Sequence, residues 1–210
     1  MIDHFVLACR DGDQSAKSLS DQLGVSLVEG GRHDGRGTRN HLGSLGNCYL
    51  ELLAPDPTQD PSDEVIDSFP DTPALVGWCV RTGNLLPIAE AAKRLSLTSR
   101  GPIDWTRESP NGRLSWQLLF VRDHSYGAAL PFFIDWGSTP LPSDTVPVVG
   151  EKVSFSIAAP SAPPLQELLN EAQTGVSVAD GPLHMALIIA GKHGELLFQT
   201  GDAFPPPFGD

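Results

Sequence analysis

The order in which strand-like and helix-like segments follow one another most constrains the fold of this 210-residue chain. Residues 2–9 have the pattern of a strand, residues 14–23 carry apolar side chains at helical spacing, and three strand-like segments follow. The same order returns after residue 74 and again after residue 151. A unit of strand, helix and three strands that recurs three times predicts an α+β protein built from βαβββ modules.

We place module 1 at residues 1–56, module 2 at 74–137 and a third module at 151–200, with 201–210 as an extended tail. Proline-rich linkers at 55–73 and 137–150 separate them. The predicted strands are 2–9, 25–28, 38–45, 47–54, 74–81, 97–99, 113–122, 130–136, 152–158, 176–179, 183–190 and 195–199, and the predicted helices are 14–23, 85–95 and 163–173.

Charge and hydropathy exclude several classes of partner. The formal charge of −12 argues against binding to a phosphate backbone, so we expect no nucleic acid. No apolar run reaches the length of a membrane span, and the first residues lack the features of a secretory signal. We therefore expect no membrane and a location in the cytoplasm. Three separated cysteines in apolar segments (Cys9, Cys48 and Cys79) are interpreted as packed, reduced thiols.

Two ionisable residues lie inside predicted strands. His4 shares one face of its strand with Ile2 and Val6, and Glu51 shares a face with Tyr49 and Leu53. A buried carboxylate needs a cation or hydrogen-bond donors to offset its desolvation. His4 is either a core histidine or a base, donor or ligand in a pocket, and Glu51 is either paired with an arginine or functional.

The segment between Gly30 and Gly37 is predicted to be a loop that approaches a ligand. Its basic groups would neutralise an anion, although a solvated turn is an equal alternative. From this region we select Arg32, His33 and Asn40, with His33 for proton transfer and Asn40 as a donor and acceptor.

The remaining candidates are aromatic or flanked by aromatic residues. Asp135, between Ile134 and Trp136, is either paired or functional. Tyr49, Trp78 and Trp136 are candidate walls for an apolar or ring-shaped ligand, although tryptophans are more often part of a core. We therefore expect a small-molecule ligand or substrate.

The tandem modules resemble the vicinal oxygen chelate superfamily, which includes glyoxalases, extradiol dioxygenases and resistance proteins that sequester drugs. More narrowly, DHFVLA at 3–8, GGRHDGRGTRNHL at 30–42 and YLELLAPDP at 49–57 are similar to the glyoxalase-like domain family. The resemblance implies that two modules form a cup-shaped mixed sheet with an active site on its concave face. It also implies a divalent metal in some members, held by one ligand from the first and fourth strands of each module.

The chain departs from this ligand pattern in module 2. His4 and Glu51 match the positions in module 1, but the first strand of module 2 offers no matching ligand and its last strand offers only Asp135. The resemblance therefore leaves His4, Glu51 and Asp135 as a metal set with a single imidazole. Stable sites for Fe²⁺, Zn²⁺ or Ni²⁺ more often have at least three ligands that include two imidazoles.

Two functions fit these observations. One is an enzyme acting on a small oxygenated or carbonyl-bearing metabolite in the cup, either a lyase or isomerase, with or without a divalent metal, or a dioxygenase. In the lyase or isomerase, His4, His33 or Glu51 moves a proton while Arg32 and Asn40 stabilise the oxyanion. The other is a metal-free protein that binds or sequesters a small molecule. The third module is expected either to pack beside module 2 within the chain or to pair with its copy in a homodimer.

Overall fold

The computed structural model of the protein describes residues 1–33, 35–59, 66–109, 112–122 and 124–200. The strands of a large sheet are β1 (Ile2–Ala8), β2 (Val28–His33), β3 (Thr38–Ser44), β4 (Tyr49–Pro55), β5 (Ala74–Arg81), β6 (Thr98–Ser109), β7 (Gly112–Arg122) and β8 (Phe132–Asp135). Those of a small sheet are β9 (Glu151–Ala159), β10 (Val178–Asp180), β11 (His184–Gly191) and β12 (Gly194–Gln199). The helices are α1 (Gly12–Leu23), α2 (Leu86–Arg94), α3 (Pro142–Thr145) and α4 (Ala162–Glu171).

The large sheet has the strand order β2-β3-β4-β1-β5-β8-β7-β6. In each half the first strand of the repeat pairs in parallel with its last strand, β1 with β4 and β5 with β8. The halves meet where β1 and β5 pair antiparallel. The sheet curls until its outermost strands, β2 and β6, come into contact. The predicted α+β fold, with two βαβββ modules forming a cup, is confirmed. The division of the chain at the predicted residue numbers stays a prediction, and the tail at 201–210 lies outside the described residues.

Alternation along β1 separates the two faces of the cup. Phe5 and Leu7 pack into the main core together with α1 and α2, on the convex face. His4 and Val6 point to the concave face. Asp11 caps the start of α1, where its carboxylate accepts a hydrogen bond from the Gln14 backbone N–H at 3.0 Å. The helix ends before Gly24, which adopts the left-handed conformation. Because the helices pack on the face that carries Phe5 and Leu7, His4 lies on the concave face.

The third repeat has the predicted order of elements but a different pairing of strands. Its sheet order is β10-β9-β11-β12, so its first strand pairs with its second and third strands instead of its last. This sheet packs on the convex face of the large sheet, where the Phe155 ring lies 4.8 Å from that of Phe5 and 5.0 Å from that of Trp78. Packing within the chain was one of the two expected arrangements. A homodimer stays a prediction.

Two strands differ from their predicted bounds. β2 was predicted at 25–28 and runs instead over Val28–His33, so His33 lies on a strand and not in a loop. A β-bulge between Glu29 and Gly31 lets the strand continue through the two glycines. β6 was predicted at 97–99 but extends over Thr98–Ser109, past a second irregularity that follows Arg100.

The three cysteines are free and buried, as expected. Burial raises the pKa of the Cys9 and Cys48 thiols to about 11. Among the described residues no helix is both long enough and apolar enough to span a bilayer.

Candidate active site

A cavity of about 480 Å³, including its open mouth, lies on the concave face between the two halves of the large sheet. Its lining divides into a polar wall from the first repeat and an apolar wall that comes mainly from the second. The lining residues are His4, His33, Asn40, Leu42, Tyr49, Glu51, Trp105, Trp116, Leu118, Phe132, Ile134, Trp136 and Pro142.

Glu51 is the centre of the polar wall. The residue is only 5% exposed, and its two carboxylate oxygens have different neighbours. The Asn40 amide donates a hydrogen bond to Oε1 at 2.6 Å, and Nε2 of His4 lies 3.4 Å from Oε2. Nε2 of His33 lies 3.9 Å from Oε1. A buried carboxylate is therefore surrounded by groups that can donate to it or exchange a proton with it.

Sheet order explains how four separated positions come together. His33, Asn40, Glu51 and His4 lie on β2, β3, β4 and β1, which are consecutive neighbours in the sheet. Each of these side chains points to the concave face, so together they cross the first repeat as one polar row. The structure thus brings together four residues that the sequence analysis selected separately.

A fifth polar residue, Asp3, lies behind His4 and was missed by the sequence analysis. One of its carboxylate oxygens lies 2.8 Å from Nδ1 of His4, and the other accepts a hydrogen bond from Nε1 of Trp136 at 3.1 Å. Asp3 is 2% exposed, and the Arg81 guanidinium lies 3.8 Å away. With Nδ1 directed to Asp3, the Nε2 atom of His4 is the one presented to Glu51.

Strict alternation along β1 would direct Asp3 away from His4. An irregularity in the pairing of β1 with β5 between Ile2 and His4 brings the two side chains to the same side. The only sign of this contact in the sequence is that an aspartate directly precedes the candidate histidine. No sequence pattern in this segment predicts the strand irregularity that brings the two side chains together.

The apolar wall is formed by aromatic and aliphatic residues of β6, β7 and β8 and the residue after β8. The Trp116 ring centre lies 5.2 Å from that of Trp136 and 6.4 Å from that of Trp105. Phe132 completes the wall on the side of the polar row, with its ring centre 5.3 Å from that of the His4 imidazole in a T-shaped arrangement. On the other side of that imidazole, Tyr49 stacks at 4.6 Å between ring centres. His4 is therefore held between two aromatic rings.

Both linkers contribute to the concave face. Phe69 is buried against Val6, Ala8 and Leu53, and Pro142 at the start of α3 lines the cavity. The segment around α3 is tied to β3 by backbone hydrogen bonds, in which Ser44 N–H donates to Pro147 at 2.8 Å and Val149 N–H donates to Ser44 at 2.9 Å. Sequence reasoning treated these segments only as connections.

Three predicted site residues are placed outside the cavity. Arg32 alternates with His33 along β2, and its guanidinium binds the buried Asp56 carboxylate at 2.8 Å and contacts Thr58. Trp78 is fully buried on the convex face, where Nε1 donates to the Ala129 carbonyl at 3.0 Å. Asp135 accepts a hydrogen bond from the Gly137 N–H at 2.8 Å, while Ile134 and Trp136 on either side of it line the cavity. A period-two pattern cannot tell which of the two faces a given strand turns to the cup.

The predicted metal set of His4, Glu51 and Asp135 is therefore not brought together. Among the described residues, the group of potential ligand atoms within 4.8 Å of one another is Asp3, His4 and Cys79. Asp3 is already paired with His4 and Trp136, and burial, followed by the charges of Asp3 and Glu51, raises the pKa of the Cys79 thiol well above its usual value. These donors do not fit the four-ligand metal site that the resemblance implies.

Comparison with one solved structure supports the fold. A hypothetical protein from Staphylococcus aureus superposes with a TM-score of 0.64 at 18% identity, covering 98% of this chain and 88% of that chain. Two methylmalonyl-CoA epimerases are also similar. The Mycobacterium tuberculosis enzyme has a TM-score of 0.42 at 21% identity over 63% of this chain and 84% of that chain. The Streptomyces coelicolor enzyme, in complex with 2-nitronate-propionyl-CoA, has a TM-score of 0.47 at 18% identity over 68% of this chain and 98% of that chain. The search of curated proteins gives no match.

A family model described as a glyoxalase-like domain matches residues 2–173, which include both halves of the large sheet and the start of the third repeat. The predicted resemblance is thereby confirmed. This chain belongs to the glyoxalase-like domain family.

Proposed function

We propose that this protein is an acid–base enzyme of the isomerase or lyase type, acting on a small carbonyl compound in the cavity. The observation that carries the proposal is the buried Glu51 carboxylate, which has Nε2 of His4 at 3.4 Å and an aromatic wall opposite. Proton transfer by a positioned side chain contributes typically about 10²- to 10⁴-fold to a rate. The cavity supplies a base, a second proton-exchanging group and exclusion of water on one wall.

The proposed reaction begins with removal of a proton from the carbon next to the substrate carbonyl. Glu51 takes the proton, the electron pair of the broken C–H bond forms a carbon–carbon double bond, and the π pair of the carbonyl moves onto its oxygen to give an enolate. The Asn40 amide donates to Glu51 while that carboxylate is charged, and it can donate to the enolate oxygen once Glu51 has taken the proton. Return of the proton to the same or another carbon gives an isomer, and expulsion of a leaving group from the neighbouring carbon gives a lyase product.

His4 acts in this scheme as the proton-exchanging partner of Glu51. Asp3 engages its Nδ1 atom, and two aromatic rings hold the plane of the imidazole. The Nε2 atom is thus directed at Glu51 without a change of rotamer, so a proton taken from the substrate can be passed on. No step of this scheme uses a metal, in keeping with a donor set that does not fit one.

A metal-free binding or sequestering protein is the second candidate. It is favoured by the wall from the second repeat, which is formed by tryptophan, phenylalanine, leucine and isoleucine side chains. Such a wall binds a ligand without contributing to a reaction. Both candidates place a small molecule in the same cavity, so only turnover separates them. For either, we propose the cytoplasm as the location.

Exchange of carbon-bound hydrogen in D₂O tests the proposal. The protein, purified with a chelator, would be incubated with a panel of ketones, aldehydes and 2-oxo acids and followed by proton NMR. We expect at least one compound to lose its signal next to the carbonyl faster than in a protein-free sample. Saturable binding of panel compounds without any added exchange would favour the binding protein and contradict the enzyme.

A further inference from the structure

Three of the four tryptophans form a continuous aromatic row along the cavity. Trp105 and Trp116 are a directly opposed pair on β6 and β7, and Trp136 follows at the inner end of the row. Trp105 and Trp116 are half-buried, so part of each indole faces the cavity space. Adjacent indole faces favour a flat ring over a flexible aliphatic chain, because rings stack at little cost in conformational entropy.

A cation lies at the outer end of this row. The exposed Arg36 guanidinium, from the turn between β2 and β3, lies 4.5 Å from the centre of the Trp105 ring. This contact joins the turn between β2 and β3 to β6, at the other edge of the curled sheet, and Trp105 of β6 lines the cavity. In the part of the chain that the structure describes, Arg36 forms no ion pair. Its donors are therefore available to an anion bound beside Trp105.

The turn that carries Arg36 is anchored from below. The Gln59 side-chain oxygen accepts a hydrogen bond from the Gly35 N–H at 2.9 Å, and the Asp56 N–H donates to the Gly37 carbonyl at 2.7 Å. In turn, the Gln59 amide donates to the buried Asp56 carboxylate at 2.9 Å. The residues on either side of Arg36, Gly35 and Gly37, are thus held by hydrogen bonds, which favours a defined position for an anion bound to Arg36.

We propose that the ligand is a flat ring compound with a carbonyl group at one end and a carboxylate or other anionic group at the other. The ring stacks along Trp105 and Trp116, the anionic end binds Arg36, and the carbonyl reaches the polar wall at Glu51. The position of the carbonyl rests on the proposed function. The ring and the anion rest on the tryptophan row and Arg36 alone.

Three matched ketones test each part. 4-Acetylbenzoate carries the ring, the carbonyl and the carboxylate, acetophenone lacks the carboxylate, and 4-oxopentanoate lacks the ring. Binding would be followed through the ¹⁵N-labelled indole N–H signals of the full chain. We expect 4-acetylbenzoate to bind at least about tenfold more tightly than either of the others. It should shift the signals of Trp105, Trp116 and Trp136 while leaving Trp78, on the opposite face, unchanged.

The variant Arg36→Gln isolates the contribution of the cation. We expect about a tenfold weaker affinity for 4-acetylbenzoate and no change for acetophenone. Arg94→Gln is the control, because Arg94 pairs with Glu171 at 2.9 Å on α2 and α4, away from the cavity. Equal affinities for 4-acetylbenzoate and acetophenone, equal losses for both in Arg36→Gln, or a shift of Trp78 as large as those of the other three would overturn the proposal.

Failure of this inference is distinct from failure of the proposed function. Selective binding of 4-acetylbenzoate without hydrogen exchange on any carbonyl compound would leave the ligand class in place and contradict the enzyme. Hydrogen exchange in a protein that binds the three ketones equally well would support the enzyme and contradict the proposed ligand class.

Discussion

Nε2 of His4 lies 3.4 Å from the Glu51 carboxylate, although the two residues belong to the first and last strands of the first repeat. The parallel pairing of β1 with β4 makes them neighbours on the concave face. The remaining polar groups of the cavity are arranged around this pair. Asn40 and His33 approach Glu51, and Asp3 approaches His4 from behind.

The first prediction concerns Asp3, which acts through His4 and does not line the cavity. In Asp3→Asn one of the two carboxylate oxygens is replaced by an NH₂ group, which donates instead of accepting. The side chain can then no longer accept hydrogen bonds from both His4 and Trp136. We expect turnover to fall about 10- to 100-fold with little change in KM, because the imidazole is no longer held in one tautomer.

The ¹⁵N signals of the His4 ring separate this role from a merely structural one. They should show a change in the proton occupancy of Nδ1 in Asp3→Asn, while the circular dichroism spectrum keeps its native shape. Unchanged turnover together with an altered ring signal would show that the Asp3 contact does not position a catalytic group.

The second prediction concerns Gly30, whose place in β2 leaves no room for a side chain. A Cβ atom there would overlap Oδ1 of Asn40 and the Leu42 side chain. We expect Gly30→Ala to cost about 1 to 3 kcal/mol in the free energy of unfolding and to detach Asn40 from Glu51. Chemical denaturation measures the first effect, and the Asn40 side-chain amide signal reports the second.

Gly83→Ala is the matched control, since a Cβ at Gly83 meets no atom within 4 Å. It should change stability by less than about 0.5 kcal/mol. If Gly30→Ala proved as stable as this control, that result would contradict the close contact of Gly30 with the side chains of Asn40 and Leu42.

The third prediction concerns the pH dependence of stability through Asp56. Burial by itself raises the pKa of this carboxyl. Hydrogen bonds from Gln59 and Thr58 and the charge of Arg32 outweigh that effect, so the net pKa is lowered to about 2. The ordinary value for an unfolded chain is about 3.9. Because the folded value is the lower one, Asp56 contributes its full stabilisation above about pH 4. That contribution is lost as the pH falls from about 4 towards 2.

Urea unfolding of the wild type and Asp56→Asn at several pH values measures this effect. At pH 7 the variant should be less stable by about 1 to 3 kcal/mol, because hydrogen bonds to a charged acceptor are lost. The gap should narrow as the pH falls from 4 to 3. A gap that stays constant over that interval would contradict the assigned role of the Asp56 charge.

The fold could be predicted because its evidence is local and repeated. Periodicity placed α1 and its buried residues Ala16, Leu19 and Leu23, and the recurring order of elements predicted the paired halves of the cup. The pairing of the third repeat could not be read in this way. The same order of strands along the chain is compatible with more than one pairing of those strands in a sheet. Which pairing forms depends on the core that the strands cover.

The candidate site was predictable only in part. His4, His33, Asn40 and Glu51 were selected as polar or ionisable residues in or beside strands, and the structure brings them together. Which face each strand turns inward is decided by the packing of helices on the other side. Arg32, selected as part of a loop, and Trp78 and Asp135, selected on strands, therefore lie outside the cavity. The contact of Asp3 depends on a strand irregularity, and that of Arg36 on closure of the sheet.

The central claim is that Glu51, next to His4, moves the proton, and comparing two carboxylate-to-amide variants tests it most directly. Glu51→Gln keeps the shape of the side chain and removes the base, whereas Asp135→Asn makes the same change outside the cavity. In the D₂O exchange measurement we predict a loss of about 100-fold or more in Glu51→Gln, with ligand binding retained, and a rate close to wild type in Asp135→Asn. Equal exchange rates in Glu51→Gln and the wild type would contradict the account.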